Sequence, residues 1–250
     1  SSSSIFTGDA PVLNKQSSLY PFVFALVICS VASFMLASLS LALKDRQDMN
    51  ESLDVKRNIF NVLKLNPPLP KEVKPAEALK IFNDKIEQVV IDAAGNIVPG
   101  RKIETLKDSE ALYPLFIYRE GGKVQGYAFP IKGKGLWSIM FGYMAVEPDG
   151  KTVRGLSFYK QGETPGLGSE AESAWFGKNF EGKKIWDDEA HQIVPVAVAK
   201  GKVADRVPKN KWPYYVDGIS GATLTGKGIT AFLDHWIRIY SPFFVKQHQG

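Results

Sequence analysis

The chain has 250 residues, 44% of them hydrophobic and 23% charged, with a formal net charge of +5 spread along its length. That is enough for one sizeable folded domain with additions. Lysines alternate with acids and form no basic stripe with interleaved aromatics, which argues against nucleic-acid binding. The single cysteine, Cys29, excludes an intrachain disulfide, and His191, His235 and His248 lie far apart in sequence, which disfavours a Cys/His metal site.

In chain order, residues 1–18 read as an N-terminal tail. Residues 19–43, LYPFVFALVICSVASFMLASLSLAL, carry no charge. As a helix they span roughly 38 Å, enough to cross a bilayer with some tilt. The run is too long for the apolar core of a signal peptide, and Lys15 alone supplies basic charge before it. A single-pass transmembrane helix in a lipid bilayer is expected. Lys44, Arg46, Lys56 and Arg57 follow it, and this count of flanking bases by itself would put the C-terminal part in the cytoplasm.

Residues 44–70 read as a helical spacer and linker. Val55, Ile59, Val62 and Leu63 fall on one helix side, and Asn66-Pro67-Pro68-Leu69-Pro70 ends the helix stiffly. From residue 71 to residue 250 a single globular domain is expected. It opens with a second amphipathic helix, KPAEALKIFNDKIEQVV, whose inward residues are Ala78, Ile81, Phe82, Ile86 and Val89. Strand patterns follow. YPLFIYRE and KVQGYAFPIK flank a Gly121-Gly122 turn, and LWSIMFGYMAVE and TVRGLSFYKQ flank Pro148-Asp149-Gly150-Lys151. SEAESAWFGKNF reads as a short helix and HQIVPVAVAKG as a further strand. GKGITAFLDHWIRIYSPFF places Ile229, Phe232, Leu233, Trp236, Ile237 and Tyr240 at helical spacing. Without strict β-α-β alternation the fold class is α+β, with a twisted, mainly antiparallel sheet and flanking helices.

The stretch DGISGATLTGKGIT, residues 217–230, carries the chemistry. Gly221, Gly226 and Lys227 have the spacing of a nucleotide-binding loop. However, Gly228 stands where a metal-binding hydroxyl is needed, and Pro213 and Asp217-Gly218 interrupt the preceding segment. The other reading is a Gly-rich loop entering a helix near Thr225. Free N–H groups and the helix dipole there favour a phosphate. From the residues alone, Thr225 as an ordinary N-cap competes with Thr223 or Thr225 as the carrier of a phosphoester.

Asp217-Gly218-Ile219-Ser220-Gly221-Ala222-Thr223 matches at every position the flavin-transferase target pattern D-G-x-[ST]-G-A-[TS]. Gly135-Leu136-Trp137-Ser138-Ile139-Met140 and Glu163-Thr164-Pro165-Gly166-Leu167-Gly168 also resemble stretches of the FMN-binding domain family. With its order of parts, the chain resembles along its whole length the C-subunit family of bacterial sodium-translocating NADH:quinone oxidoreductases. The G subunit of the related Rnf ferredoxin:NAD⁺ complexes shares the attachment pattern. The long spacer and the GLWSIM and ETPGLG stretches favour the sodium pump. A membrane-anchored binding module without cofactor is the alternative of a different class.

The resemblance implies FMN bound by a phosphoester to Thr223, and an electron carrier rather than a stand-alone catalyst. Ser220, Gly221, Ala222 and Thr225 would surround the phosphate. Trp137 and Leu167 would border the ring, although alternation along LWSIMFGYM is equally consistent with Trp137 in the core. Glu163 and Thr164 would either hydrogen-bond the flavin edge or simply build the turn before Gly166, whose lack of a side chain allows backbone approach. Asp217 and Gly218 would serve recognition by the flavin transferase, or form an Asx turn. The family context further implies the other members of a membrane complex of six subunits, coupling of electron transfer to Na⁺ export, and an FMN domain on the periplasmic side of the inner membrane, against the count of flanking bases.

Overall fold

The structure, a computed structural model, describes residues 19–65, 75–107 and 109–249. The expected N-terminal tail and the Asn66 to Pro70 linker lie outside the described residues. The chain divides into two compact units, one ending at Glu51 and the other starting at Ser52. Helix α1, Tyr20–Leu63, is a single element, where the sequence suggested an apolar helix followed by a separate spacer. Its span Tyr20–Lys44 has a mean hydropathy of 2.5, is long and apolar enough to cross a membrane, and is not buried by the rest of the protein.

The second unit is built on a five-stranded antiparallel meander. Its strands are β1 (Ile86–Asp92), β2 (Leu112–Glu120), β3 (Lys123–Lys134), β4 (Ile139–Val146) and β5 (Val153–Lys160), paired in that order. The hairpin turns at Gly121-Gly122 and around Asp149-Gly150 stand where the turn residues put them. Helix α2 covers only Pro75–Lys85. Ile86 and Val89, expected on that helix, lie on β1 opposite Tyr118 and Leu115 of β2. An i, i+3 spacing suits a helix, but the antiparallel ladder to β2, with Val98 N–H donating to the Val90 carbonyl on the other edge, takes up the backbone groups of the segment and prevails.

Alternation along the strands gives the sheet two apolar faces. Phe116, Tyr118, Ala128, Tyr143 and Ala145 pack on one face with Ile59, Phe60, Val62 and Leu63 from the end of α1 and Phe82 of α2. Leu115, Ile117, Tyr127, Phe129, Ile131, Met140 and Met144 face the other way. There they meet the long C-terminal helix. The segment between is made of short pieces: a 3-10 turn Gly168–Glu172, α3 (Ala174–Lys178), β6 (Trp186–Asp187) paired with β7 (Gln192–Ile193), β8 (Ala197–Val198), α4 (Val203–Arg206) and β9 (Tyr215–Val216). HQIVPVAVAKG is therefore two two-residue strands and not one. Pro195 between them has no N–H for a ladder.

Helix α5, Thr223–Gln249, lies across the second face. Its buried residues Ile229, Phe232, Leu233, Ile237 and Tyr240 are those the sequence spacing selects, continued by Phe243 and Phe244. Three contacts fix its position along the sheet. The Tyr240 ring stacks on Phe129 at 4.2 Å between centroids, its hydroxyl donates to the Pro114 carbonyl at 2.8 Å, and the Trp236 indole N–H donates to the Lys132 carbonyl at 2.6 Å. Pro242 cannot bond the Arg238 carbonyl one turn back, and the Ser241 hydroxyl donates to that carbonyl instead, at 2.8 Å. Tyr240→Phe, which leaves the Pro114 carbonyl without its donor, is expected to lower unfolding stability by about 1–2 kcal/mol, measured by chemical denaturation of the full chain in detergent.

Candidate functional site

Three segments meet where α5 begins. The first is the tip of the β3–β4 hairpin, Gly135 to Ser138, closed by the Gly135 N–H on the Ser138 carbonyl at 2.9 Å. Trp137 stands on this tip with 72% of its surface exposed and is neither core nor strand. Leu136, 37% exposed, stands beside it.

The second segment is Gly162 to Gly168. The Leu167 and Ser169 N–H groups both donate to the Thr164 carbonyl, so Thr164 organises the turn through its backbone while its side chain is exposed. Gly166 has φ +72° in that turn, and Leu167 projects outward, 41% exposed.

The third segment is Asp217 to Thr225. Gly218 N–H donates to the Gly201 carbonyl at 2.8 Å, and Asp217 Oδ1 accepts the Val203 N–H at 2.7 Å. Asp217 thus ties this segment to the start of α4, and that bond replaces the expected Asx turn. Ser220 and Gly221 are exposed, while Ile219 and Ala222 are buried. Gly221 has φ +72°, a left-handed conformation that L side chains avoid, and a Cβ there would lie 2.7 Å from Leu167 Cδ2. That contact brings the second and third segments together.

The helix opens two residues earlier than the sequence placed it. The Gly226 N–H donates to the Ala222 carbonyl at 3.0 Å, so Ala222 is the N-cap and Thr223, Leu224 and Thr225 form the first turn. Alanine has no side-chain acceptor, so the first-turn N–H groups receive no cap from that position. Thr223 is half-buried with its hydroxyl at the helix start, and Leu224 is 55% exposed. Thr225 is 1% exposed; its hydroxyl points inward and donates to Glu163 Oε2 at 2.8 Å. The N-cap role suggested for Thr225 therefore falls to Ala222.

Glu163, 5% exposed, is the centre of the arrangement. Oε1 accepts the N–H of Trp137 at 2.9 Å, the N–H of Ser138 at 3.0 Å and the Ser138 hydroxyl at 3.3 Å. Oε2 accepts the Leu136 N–H at 3.2 Å and the Thr225 hydroxyl. A carboxylate offers about four lone-pair sites, so its acceptor capacity is filled from within the protein. Of the two roles the sequence allowed Glu163, the bonds seen here are internal ones, to the hairpin tip and to Thr225. Burial pushes the Glu163 carboxyl up, but the N–H groups of Ser138 and Trp137, the Thr225 hydroxyl and the Leu136 N–H outweigh it. They hold the group below the ordinary carboxylate range.

The result is an uncapped helix start with a hydroxyl on its first residue, bordered by exposed Leu136, Trp137, Leu167 and Leu224. Such a place suits a phosphate joined to an apolar, planar group. The FMN-binding domain family matches residues 135–238, from the hairpin tip to the middle of α5. The C subunit of the Na(+)-translocating NADH-quinone reductase of Yersinia pestis is 31% identical, and the alignment covers 95% of this chain and 96% of that protein. The chain belongs to this C-subunit family. The corresponding C subunit of Pseudomonas aeruginosa is also 31% identical, over 90% of this chain and 93% of that protein. The crystal structure of the C subunit from Parabacteroides distasonis superposes with a TM-score of 0.68 at 32% identity, covering 81% of this chain and 96% of that one.

Within the fold of this family, the sequence motifs brought Trp137, Glu163, Leu167 and Thr223 to one place. They gave no role to Leu136, Leu224 or Ser138. An apolar residue at the second position of a helix, directly after Thr223, is the signal that could have identified Leu224. Ser138 is revealed only by its bonds: besides donating to Glu163 it accepts the Gly162 N–H at 2.7 Å.

The depressed Glu163 pKa sets a pH dependence. Such a carboxyl stabilises the fold fully above its unfolded value, about 4.3, and loses that contribution as pH falls through the lower folded-state value. Glu163→Gln is expected to be about 1–3 kcal/mol less stable than the parent at neutral pH by urea denaturation. That gap should narrow steadily below about pH 4; a gap that does not change with pH would contradict this assignment.

Proposed function

We propose that this chain is the FMN-carrying electron-transfer subunit of a membrane NADH:quinone oxidoreductase that couples electron flow to Na⁺ export. The flavin is held by a phosphoester between its phosphate and the Thr223 hydroxyl. The observation that carries this reading is the position of Thr223: the last residue of a complete transferase target sequence is also the first residue of a helix whose N-cap is an alanine.

The residues present fit the group. The N–H groups of the first turn of α5 receive the phosphate, with Ser220, Gly221 and Ala222 forming the approach to it. Thr225 contributes its backbone N–H, since its hydroxyl is committed to Glu163. Trp137 and Leu167 border the ring, and Gly166 keeps the turn that presents Leu167 free of a side chain. Thr164 lies at the rim with its hydroxyl available to a flavin edge. FMN supplies the one- and two-electron chemistry of its ring, while the protein fixes where the ring stands. Gly218 and Asp217 give the transferase a rigid loop to recognise, because both are bonded to the Gly201–Val203 segment.

The partners of this reading are the other members of a complex of six subunits, the flavin transferase that matures the chain, and the bilayer crossed by the span Tyr20–Lys44. The FMN domain stands on the periplasmic side of the inner membrane. The bases after the span are few, and in an assembly of many helices their pull on orientation is weak.

Two measurements test this. Full-length chain co-expressed with a flavin transferase should show flavin fluorescence on a denaturing gel, and Thr223→Ala should show none; fluorescence that persists in the variant moves the attachment elsewhere. A reporter active only after export, fused to the C-terminus, should be active; a reporter active only in the cytoplasm reverses the orientation.

A further inference from the structure

The hairpin tip and the helix start share one anchor. Gly135 to Ser138 is a four-residue turn whose inner N–H groups, from Leu136, Trp137 and Ser138, point at a single carboxylate. The same carboxylate holds the Thr225 hydroxyl, two residues past Thr223. Consecutive backbone N–H groups around an anion form a nest; here the anion is a side chain from a third segment. Space for it is made on two sides. A Cβ at Gly135 would lie 2.7 Å from Oε1, and one at Gly168 would lie 2.8 Å from Oε2 and 2.7 Å from the Thr225 hydroxyl. Aspartate, one methylene shorter, would not bridge the tip and the helix together. Glutamine would bridge them but would turn amide hydrogens toward donors.

The parts of the site that face outward have little else to hold them. Trp137 is mostly exposed, so its orientation comes from its backbone, and its backbone is held by Glu163. Leu136 is tied to the same carboxylate through its own N–H.

We propose that Glu163 is a positioning residue for the flavin. It does not touch the cofactor, and by bonding the Leu136–Ser138 backbone and Thr225 with one carboxylate it fixes the Trp137 indole relative to Thr223. A ring attached at Thr223 would then have a fixed indole beside it instead of a mobile one. This rests on the reading of Thr223 as the attachment residue.

The experiment has an arm with flavin and an arm without. In the first, full-length chain is flavinylated by co-expression with a transferase, and the emission of the native protein is divided by that of the same sample denatured. The parent should be quenched by the adjacent indole. Trp137→Phe should raise the ratio severalfold, Glu163→Gln should raise it comparably, and the double variant should rise no further. Tyr240→Phe destabilises the same helix roughly 26 Å away along its axis and should keep the parent ratio. A Glu163→Gln ratio equal to the parent's overturns the proposal. So does a ratio raised equally by Tyr240→Phe, which would show only that a weaker fold loosens the ring, or a Trp137→Phe ratio that does not change.

The second arm uses Thr223→Ala, which carries no ester. Hydrogen exchange at the amides of Leu136, Trp137 and Ser138 should accelerate at least tenfold when Glu163→Gln is added, with the amides of central β3 unchanged. Unchanged protection at the tip overturns the proposal whether or not flavin attaches. If the parent carries no covalent flavin at all while this second arm behaves as expected, the attachment reading fails and the anchoring role of Glu163 stands.

Discussion

A helix of 27 residues is laid across one face of a five-stranded sheet, and its register on that face determines where its first residue stands. Phe129 and Tyr240 stack, Trp236 reaches the Lys132 carbonyl, and Ile229, Phe232 and Ile237 fill the face between. The stack and the filled face remove apolar surface from water, the indole bond adds a fixed direction, and together they leave α5 one position. At its N-terminal end the Lys134 carbonyl lies against Gly228, where no side chain could be admitted. The first turns of α5 therefore meet the end of β3 and, through Glu163, the hairpin tip because of packing far from them.

The site produced in this way is a ledge. Cavities do occur, one of about 170 Å³ beside Trp186, His191 and Ile237 and another of about 330 Å³ beside Tyr113, Tyr159 and Trp236, and neither is lined by Thr223. An enclosed pocket holds a ligand by surrounding it. A ledge with exposed Trp137, Leu167 and Leu224 leaves one side of a ligand open. Openness suits a carrier, which must come close to a donor and then to an acceptor.

The sequence revealed the parts of this structure whose cause is local. Gly121-Gly122 and Pro148-Asp149-Gly150 define their turns by backbone chemistry, and the spacing of Ile229, Phe232, Leu233, Ile237 and Tyr240 defines a helix face whatever lies opposite. It was misleading where a distant partner decides. Ile86 and Val89 share a face only on a helix; the ladder to β2 makes them a strand, and they are buried on opposite faces of the sheet. The start of α5 moved from Thr225 to Thr223 because the Thr225 hydroxyl bonds a residue 62 positions away instead of capping its own helix. Glu163 read as a turn residue or a partner of a flavin edge, and only the approach of the hairpin tip and of Thr225 fills its acceptor positions. The motifs thus named the three segments that the fold brings together, while the inward direction of Glu163 and Thr225 was not legible in either stretch taken alone.

Ala222 at the N-cap of α5 has a thermodynamic consequence. A capping serine, threonine, asparagine or aspartate in that position would stabilise the helix by about 1 kcal/mol, and the chain forgoes it at the helix start beside the ledge. The first turn of α5 is then less stable by itself than with an anion in place. Anything that binds those N–H groups in the folded state alone raises the stability of the turn by the free energy of its binding. Occupancy of the ledge and order of the helix start are in this way a single equilibrium.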